Sequence, residues 1–275
     1  AVKQGGPRRR RSAKEDGNTA QHKAEMFRNQ YDTDVTTWSP QGRIHQVEYA
    51  MEAVKQGSAC VGARSKTHAV MAALKRSTND MSSYQKKIFK VDDHMGISIS
   101  GLTADARSLC KYMRTECLQH KYVYESAVPV QRLVVNVADK CQGCTQSASG
   151  RPFGVGLLVA GVDQTGPHIY YNCPSGNYYE YKAMTIGARS QAAKTYMEKH
   201  YNSFEDCDLQ ALVKHCLTSL KETSQNGDIN AKNTSVSIVG IGHDFKTFDG
   251  EDVQQYIDLM DKDEIAEAAP AAMQE

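Results

Sequence analysis

The stretch Ser39–Gly57, SPQGRIHQVEYAMEAVKQG, limits the fold more tightly than any other part of the chain. Ser39-Pro40-Gln41-Gly42 reads as a tight turn, because proline presets φ and glycine tolerates the exit geometry. A helix over Arg43–Lys55 follows. Its Ile44, Val47, Ala50, Met51 and Val54 recur at steps of three and four, so they share one face. Glu48 and Glu52 lie on the other side, and Glu52 and Lys55 form a favourable i,i+3 pair. Gly57 stands where a C′ glycine stops a helix. Taken alone, the stripe describes an ordinary amphipathic surface helix. Its meaning comes from what it precedes: the dipeptide Gly57-Ser58 and a long series of strands.

Beyond the helix the pattern changes period. Ser58–Arg64 and His68–Lys75 read as β runs joined at Ser65-Lys66-Thr67. Lys87–Val91 and Met95–Ser100 read as two more, with a turn at Asp92-Asp93-His94 and Gly101 ending the second. Thr103–His120 is a helix with Ala106, Leu109, Cys110, Met113 and Cys117 on one stripe and Thr103 as its cap. Pro129–Cys141 is a second helix, with proline in its first turn and Leu133, Val134, Val137 and Ala138 facing inward. Gln142–Arg151 is small and polar, hence a loop. Phe153–Val162 is a central strand. His168–Cys173 and Tyr178–Ile186 are two more, with turns at Gly166-Pro167 and Pro174-Ser175-Gly176. Gln191–His200 and Leu209–Glu222 are helical, the second capped by Asp208. Ser235–Ile241 and Phe245–Phe248 form a last hairpin, and residues 251–260 a short helix. Strands arrive in hairpins and helices in pairs. That order argues against a parallel βαβ sheet and for a layered α+β fold.

Composition narrows the function classes. A chain of 275 residues can bury a substantial core. Its 33 Lys+Arg against 32 Asp+Glu create no global field that points to nucleic acid or acidic lipid. No apolar run approaches the roughly 20 residues needed to span a bilayer, and the basic N-terminus lacks the apolar core of a secretory signal. The eight cysteines read as reduced thiols of a cytosolic or nuclear protein. Cys141-Gln142-Gly143-Cys144 is a lone CxxC, short of the four ligands of structural zinc; no metal or cofactor is expected. Residues 1–25 carry seven basic and three acidic side chains, including Arg8–Arg11. Such a segment cannot bury enough surface to order itself, and reads as a solvated extension, a nuclear address or an anion-binding arm. Met26 is the first methionine, which raises the alternative that residues 1–25 are not native. Residues 261–275 read as an acidic, Ala-rich, mobile tail.

The Ser39–Gly57 stretch matches, over its whole length, the signature helix of the alpha-type subunits of the proteasome core particle (peptidase T1A). MFRNQYD upstream, GLTADAR from Gly101, RPFGVGLLVAG from Arg151 and GPHIY from Gly166 extend the likeness, so the chain resembles that family from about Met26 to Met260. The resemblance implies a four-layer αββα sandwich, the N-terminal-nucleophile hydrolase fold with an extra N-terminal helix. It divides the chain into a gate segment and signature helix (26–57), an αββα domain (58–260) and the tail. It also implies a non-catalytic subunit of a seven-membered hetero-ring of alpha subunits, stacked on beta subunits that hold the catalytic threonines. The expected role is ring assembly, gating of substrate access and docking of activators in ATP- and ubiquitin-dependent degradation. The expected location is cytoplasm and nucleus, with no nucleic-acid or membrane partner.

Specific residues carry over by position. Ser58 stands where active beta subunits have the nucleophilic threonine, but that threonine needs a free α-amine. The catalytic aspartate aligns with Leu74 and the assisting serine with Ala188; the lysine remains as Lys87. By similarity, the signature helix fills the cleft that a substrate would enter. The alternative, a hydrolase activated by cleavage at Gly57-Ser58, lacks those partners. In alpha subunits the lysine at the Lys87 position, with Gly101 and Leu102, lines a pocket for the C-terminal carboxylates of regulatory activators. Tyr31, Asp32, Pro40 and Tyr49 match the cluster that holds alpha-subunit tails in the open-gate state. Thr33 departs from the family's arginine there, and Gln142–Gly150 departs from the basic loop expected at that place.

Overall fold

Alternate residues of each central strand must face different layers, and here both faces are apolar, which demands covers on both sides. The computed structural model describes residues 31–76, 81–83, 85–224 and 229–268, with side chains as far as residue 260. The Arg8–Arg11 arm, the rest of residues 1–25 and the end of the tail lie outside the described residues. Two antiparallel five-stranded sheets form the centre. One has the order β10-β9-β2-β1-β8, built from β1 (Cys60–Arg64), β2 (His68–Leu74), β8 (Ala183–Ile186), β9 (Thr234–Gly240) and β10 (His243–Asp249). The other runs in sequence from β3 (Ile88–Asp92) through β4 (Met95–Gly101), β5 (Val155–Asp163) and β6 (Gly166–Asn172) to β7 (Tyr178–Glu180).

The helices supply the outer layers. Helix α1 (His45–Gln56) lies against β4 and β5. Helices α2 (Thr103–Tyr124) and α3 (Val130–Gln146) cover the second sheet, and α4 (Ser190–Lys199), α5 (Leu209–Thr223) and α6 (Glu251–Ala268) cover the first. The period-two rule is visible along β5: Leu157 and Val159 pack on α2 and α3, while Leu158 and Ala160 meet the other sheet. Along β2, Val70 and Ala72 face α5, and Ala69, Met71 and Ala73 face the second sheet. Each large side chain buried this way contributes about 1.5–3 kcal/mol. The inter-sheet layer is rich in small residues, and the approach is close: a Cβ on Gly96 would sit 2.2 Å from the Phe245 ring. The result is the αββα sandwich.

Several local expectations change. Residues 178–186 are two strands: β7 pairs with β6, and β8 pairs with β1 in the opposite sheet. One strand cannot serve two stacked sheets, so the chain steps across at Tyr181 and Lys182. Helix α3 runs on to Gln146 because Cys141 and Thr145 continue its buried stripe, while Gly143 faces open space. Helix α2 likewise continues past His120 and ends at Glu125, in the left-handed region. Pro129 is the N-cap of α3, Leu102 rather than Thr103 is that of α2, and Asp208 holds the N-cap position of α5 without a side-chain bond. The turn expected at Gly166-Pro167 falls at residues 164–165, and both residues join β6. Helix α6 extends to Ala268, into the segment expected to be tail.

One ion pair fixes the ends of α2 and β5. Asp105, in the first turn of α2 and only 8% exposed, takes two bonds from Arg151, at 2.7 and 2.8 Å, and one from the Gly154 amide at 2.9 Å. The Arg151 guanidinium, then that amide, holds the Asp105 carboxyl below its ordinary value of 3.8 even though burial opposes this. Asp105→Asn is therefore expected to destabilise the purified chain by about 1–3 kcal/mol in urea unfolding at neutral pH. The sign with pH follows from the depressed pKa. The contribution is complete above the unfolded-state value and disappears as pH falls through the lower folded-state value, so the two proteins converge in acid.

Candidate functional site

Helix α1 ends against β4 and β5 of the second sheet, at Ser100 and Gly156. Its Val54 packs against Gly156 of β5, and the Val54 carbonyl accepts the buried Ser100 hydroxyl at 2.9 Å. His45 is buried where Met51 was expected, and Met51 is exposed. Gly57 is not a left-handed C′ glycine: its backbone is extended, φ −63° and ψ 156°. It is glycine for lack of room, since a Cβ there would lie 2.3 Å from Ser100 Oγ and 2.4 Å from the Gly101 nitrogen.

Ser58 follows, 4% exposed and inside a continuous chain. The Gly57 carbonyl accepts from the Ala188 amide at 2.7 Å, and the Ser58 carbonyl from Ser100 Oγ at 3.3 Å. The amine that an N-terminal nucleophile uses as its base is here a peptide nitrogen. The fold does bring the aligned partner positions together. Leu74 and Ala188 line one pocket of about 390 Å³ beside Ala59. Both present hydrocarbon, so these two positions supply neither a carboxylate nor a hydroxyl to a proton relay. No residue of α1 lines this pocket.

Lys87 precedes β3, and its carbonyl accepts from the Ile99 amide at 3.0 Å. It is 2% exposed. Burial pushes its ammonium below the ordinary lysine value, the Cys60 thiol beside it works the other way, and the charge of Arg76 adds to the lowering. Among the described residues it has no carboxylate partner. Gly101, two residues after Ile99, has φ +115°, and its missing Cβ leaves space for the Gly154 carbonyl, which accepts from the Leu102 amide at 2.9 Å. Leu102 is 47% exposed. The Asp105–Arg151 pair clamps Gly154, and so the backbone that sets Gly101 and Leu102. Sequence reading missed both clamp residues. The available signal was an acid in the first turn of GLTADAR and an arginine opening RPFG.

The segment before α1 is tied down by the helix. The Tyr49 hydroxyl donates to Asp32 at 3.1 Å, and Gln46 donates to the Asp32 carbonyl. Tyr31 is half-buried, and Pro40 is exposed on its turn, which is closed by the Gly42 amide on the Ser39 carbonyl at 2.9 Å. Arg43 pairs with Glu48 at 2.5 Å, and His45 lies 3.3 Å from the same carboxylate. Asp32 and Tyr49 thus touch directly.

Of the cysteines, only Cys60 adjoins these site residues, beside Lys87 and the Ser58 carbonyl. All eight are free, and Cys141 and Cys144 sit within α3. Burial pushes the Cys141 thiol up to about 12, which removes the thiolate that redox chemistry needs. Among the described residues no group of three or more His, Cys, Asp or Glu could hold a metal ion, and no helix is long and apolar enough to cross a membrane.

Comparison with known proteins agrees with this geometry. The family model for proteasome subunits matches residues 54–239, and the model for the N-terminal signature of their A type matches residues 31–53. The alpha type-1 proteasome subunit of Dictyostelium discoideum is 60% identical over 244 residues, covering 88% of this chain and 98% of its own. The probable alpha type-6 proteasome subunit of Schizosaccharomyces pombe is 48% identical over 252 residues, covering 91% and 93%. The alpha type-1 proteasome subunit of Drosophila melanogaster is 49% identical over 236 residues, covering 84% and 85%. Alpha-type subunits are the non-catalytic ring components, with catalysis in the beta subunits. A Ser58 locked in mid-chain and the hydrocarbon of Leu74 and Ala188 fit that division, and the chain belongs to the proteasome subunit family as an alpha-type, non-catalytic member.

Proposed function

We propose that this alpha-type subunit gates substrate access to the core particle and docks regulatory activators in ATP- and ubiquitin-dependent degradation, in cytoplasm and nucleus. The observation that carries the reading is Lys87. A desolvated ammonium with no carboxylate partner among the described residues attracts a carboxylate strongly, because little water competes for it. An activator's C-terminal carboxylate supplies that counter-charge, with Gly101 and Leu102 offering backbone and an exposed apolar side chain beside it. The gate role is supported by the Asp32–Tyr49 bond, which links the segment leading into the signature helix to the helix itself.

Lys87→Met in the assembled core particle tests the docking role. With the native protein, amidating the terminal carboxylate of an activator peptide weakens binding by about tenfold, the worth of one charge-assisted bond. With Lys87→Met that difference disappears. Native binding also weakens as alkaline pH passes the lowered Lys87 pKa, since only the ammonium attracts the carboxylate; the variant lacks this dependence. Tyr49→Phe tests the gate. It removes one hydroxyl and lowers activator-stimulated peptide hydrolysis by about two- to fivefold, with unstimulated hydrolysis unchanged. Deleting residues 31–56 impairs ring assembly and creates no peptidase. Threonine-protease-like turnover by that truncated chain would revive the alternative of a hydrolase activated at Gly57-Ser58.

A further inference from the structure

The pocket beside Ala59 combines hydrocarbon walls with two cations. Among the described residues, its walls are Ala59, Leu74 and Ala188 and its polar lining is Arg76, Arg189, Thr223 and Ser224, around about 390 Å³. Both arginines are exposed, and among the described residues neither has a carboxylate partner. Arg189 also holds an unusual backbone, φ 57° and ψ 19°, the left-handed region that side chains other than glycine and asparagine rarely adopt. Gly187, just before it, has φ +99° and no room for a Cβ, which would lie 2.6 Å from the Ser58 carbonyl. The turn that presents Arg189 is thus pinned to the same junction as Gly57. Arg189 is the N-cap of α4, a ten-residue helix, and makes no side-chain cap bond. The helix dipole adds positive potential there. Arg76 closes the other side, and its charge already bears on Lys87.

We propose that this pocket binds a small oxyanion, either a phosphate monoester or a carboxylate. Two planar guanidinium forks match both chemistries through paired N–H donors, the Ser224 hydroxyl supplies a further donor, and the volume is that of a small-ligand site. The site is separate from the activator pocket, because Lys87, Gly101 and Leu102 do not line it.

Site-resolved arginine protection in the assembled core particle is the test. Phenylglyoxal modifies exposed arginines, and peptide mass spectrometry reads each position. Inorganic phosphate and glutarate are the two probes. One or both should slow modification of Arg76 and Arg189 together, saturably and by at least about fivefold, while Arg43 and Arg114 are unaffected; the more potent probe identifies the ligand chemistry. Arg189→Asn removes the guanidinium with a residue at home in left-handed backbone, so folding is preserved. It should abolish protection at Arg76. Lys87→Met should leave protection intact, which separates this site from activator docking. Absence of saturable protection with both probes overturns the proposal, as does Arg76 protection that survives Arg189→Asn.

Discussion

Three stretches of backbone converge on the hydroxyl of Ser100, and the functional geometry depends on how closely they meet. The hydroxyl donates to Val54, at the end of α1, and lies 3.3 Å from the carbonyl of Ser58, at the start of the first strand. The last carbonyls of a helix need partners from outside it. Here the second sheet supplies one, and the helix needs no left-handed cap. The same contact leaves no space for a side chain at Gly57 or Gly187. Signature helix, β4 and the turn before α4 are therefore held in one arrangement.

The layered architecture was legible because β runs alternate and helices carry stripes, and both signals survive in side-chain pattern alone. What stayed hidden depended on distance. Residues 178–186 read as one strand since nothing in their pattern says that the two halves have different neighbours. Gly57 was visible as a glycine, but its cause was not: a cap and a close approach look the same in sequence. Met51 fits the apolar stripe by spacing and His45 does not, yet His45 is the buried one, because it has the Glu48 carboxylate 3.3 Å away. At the site, Ser58 was readable as mid-chain. The burial of Lys87 was not, since lysine at a strand end ordinarily reaches water. The Asp105–Arg151 pair spans 46 positions; the acid and the arginine were each visible, and their partnership was not.

The chain shows how a hydrolase framework loses its chemistry while keeping its shape. The positions of nucleophile and partners still converge, but a peptide nitrogen replaces the amine and hydrocarbon replaces the proton-handling groups. Lys87 is the remaining cation of the set. Without an adjacent base, a charge in that place can recognise an anion and cannot turn over a substrate.

The crossing at Tyr181 and Lys182 has a mechanical consequence. The Tyr181 amide bonds to Ile169 in one sheet at 2.9 Å, and the Lys182 carbonyl accepts from Arg64 in the other at 2.8 Å. Sliding one sheet over the other would strain both bonds at once, across a link two residues long. The sandwich is cross-braced at this edge, and shear between its sheets is opposed there by backbone bonds as well as by core packing.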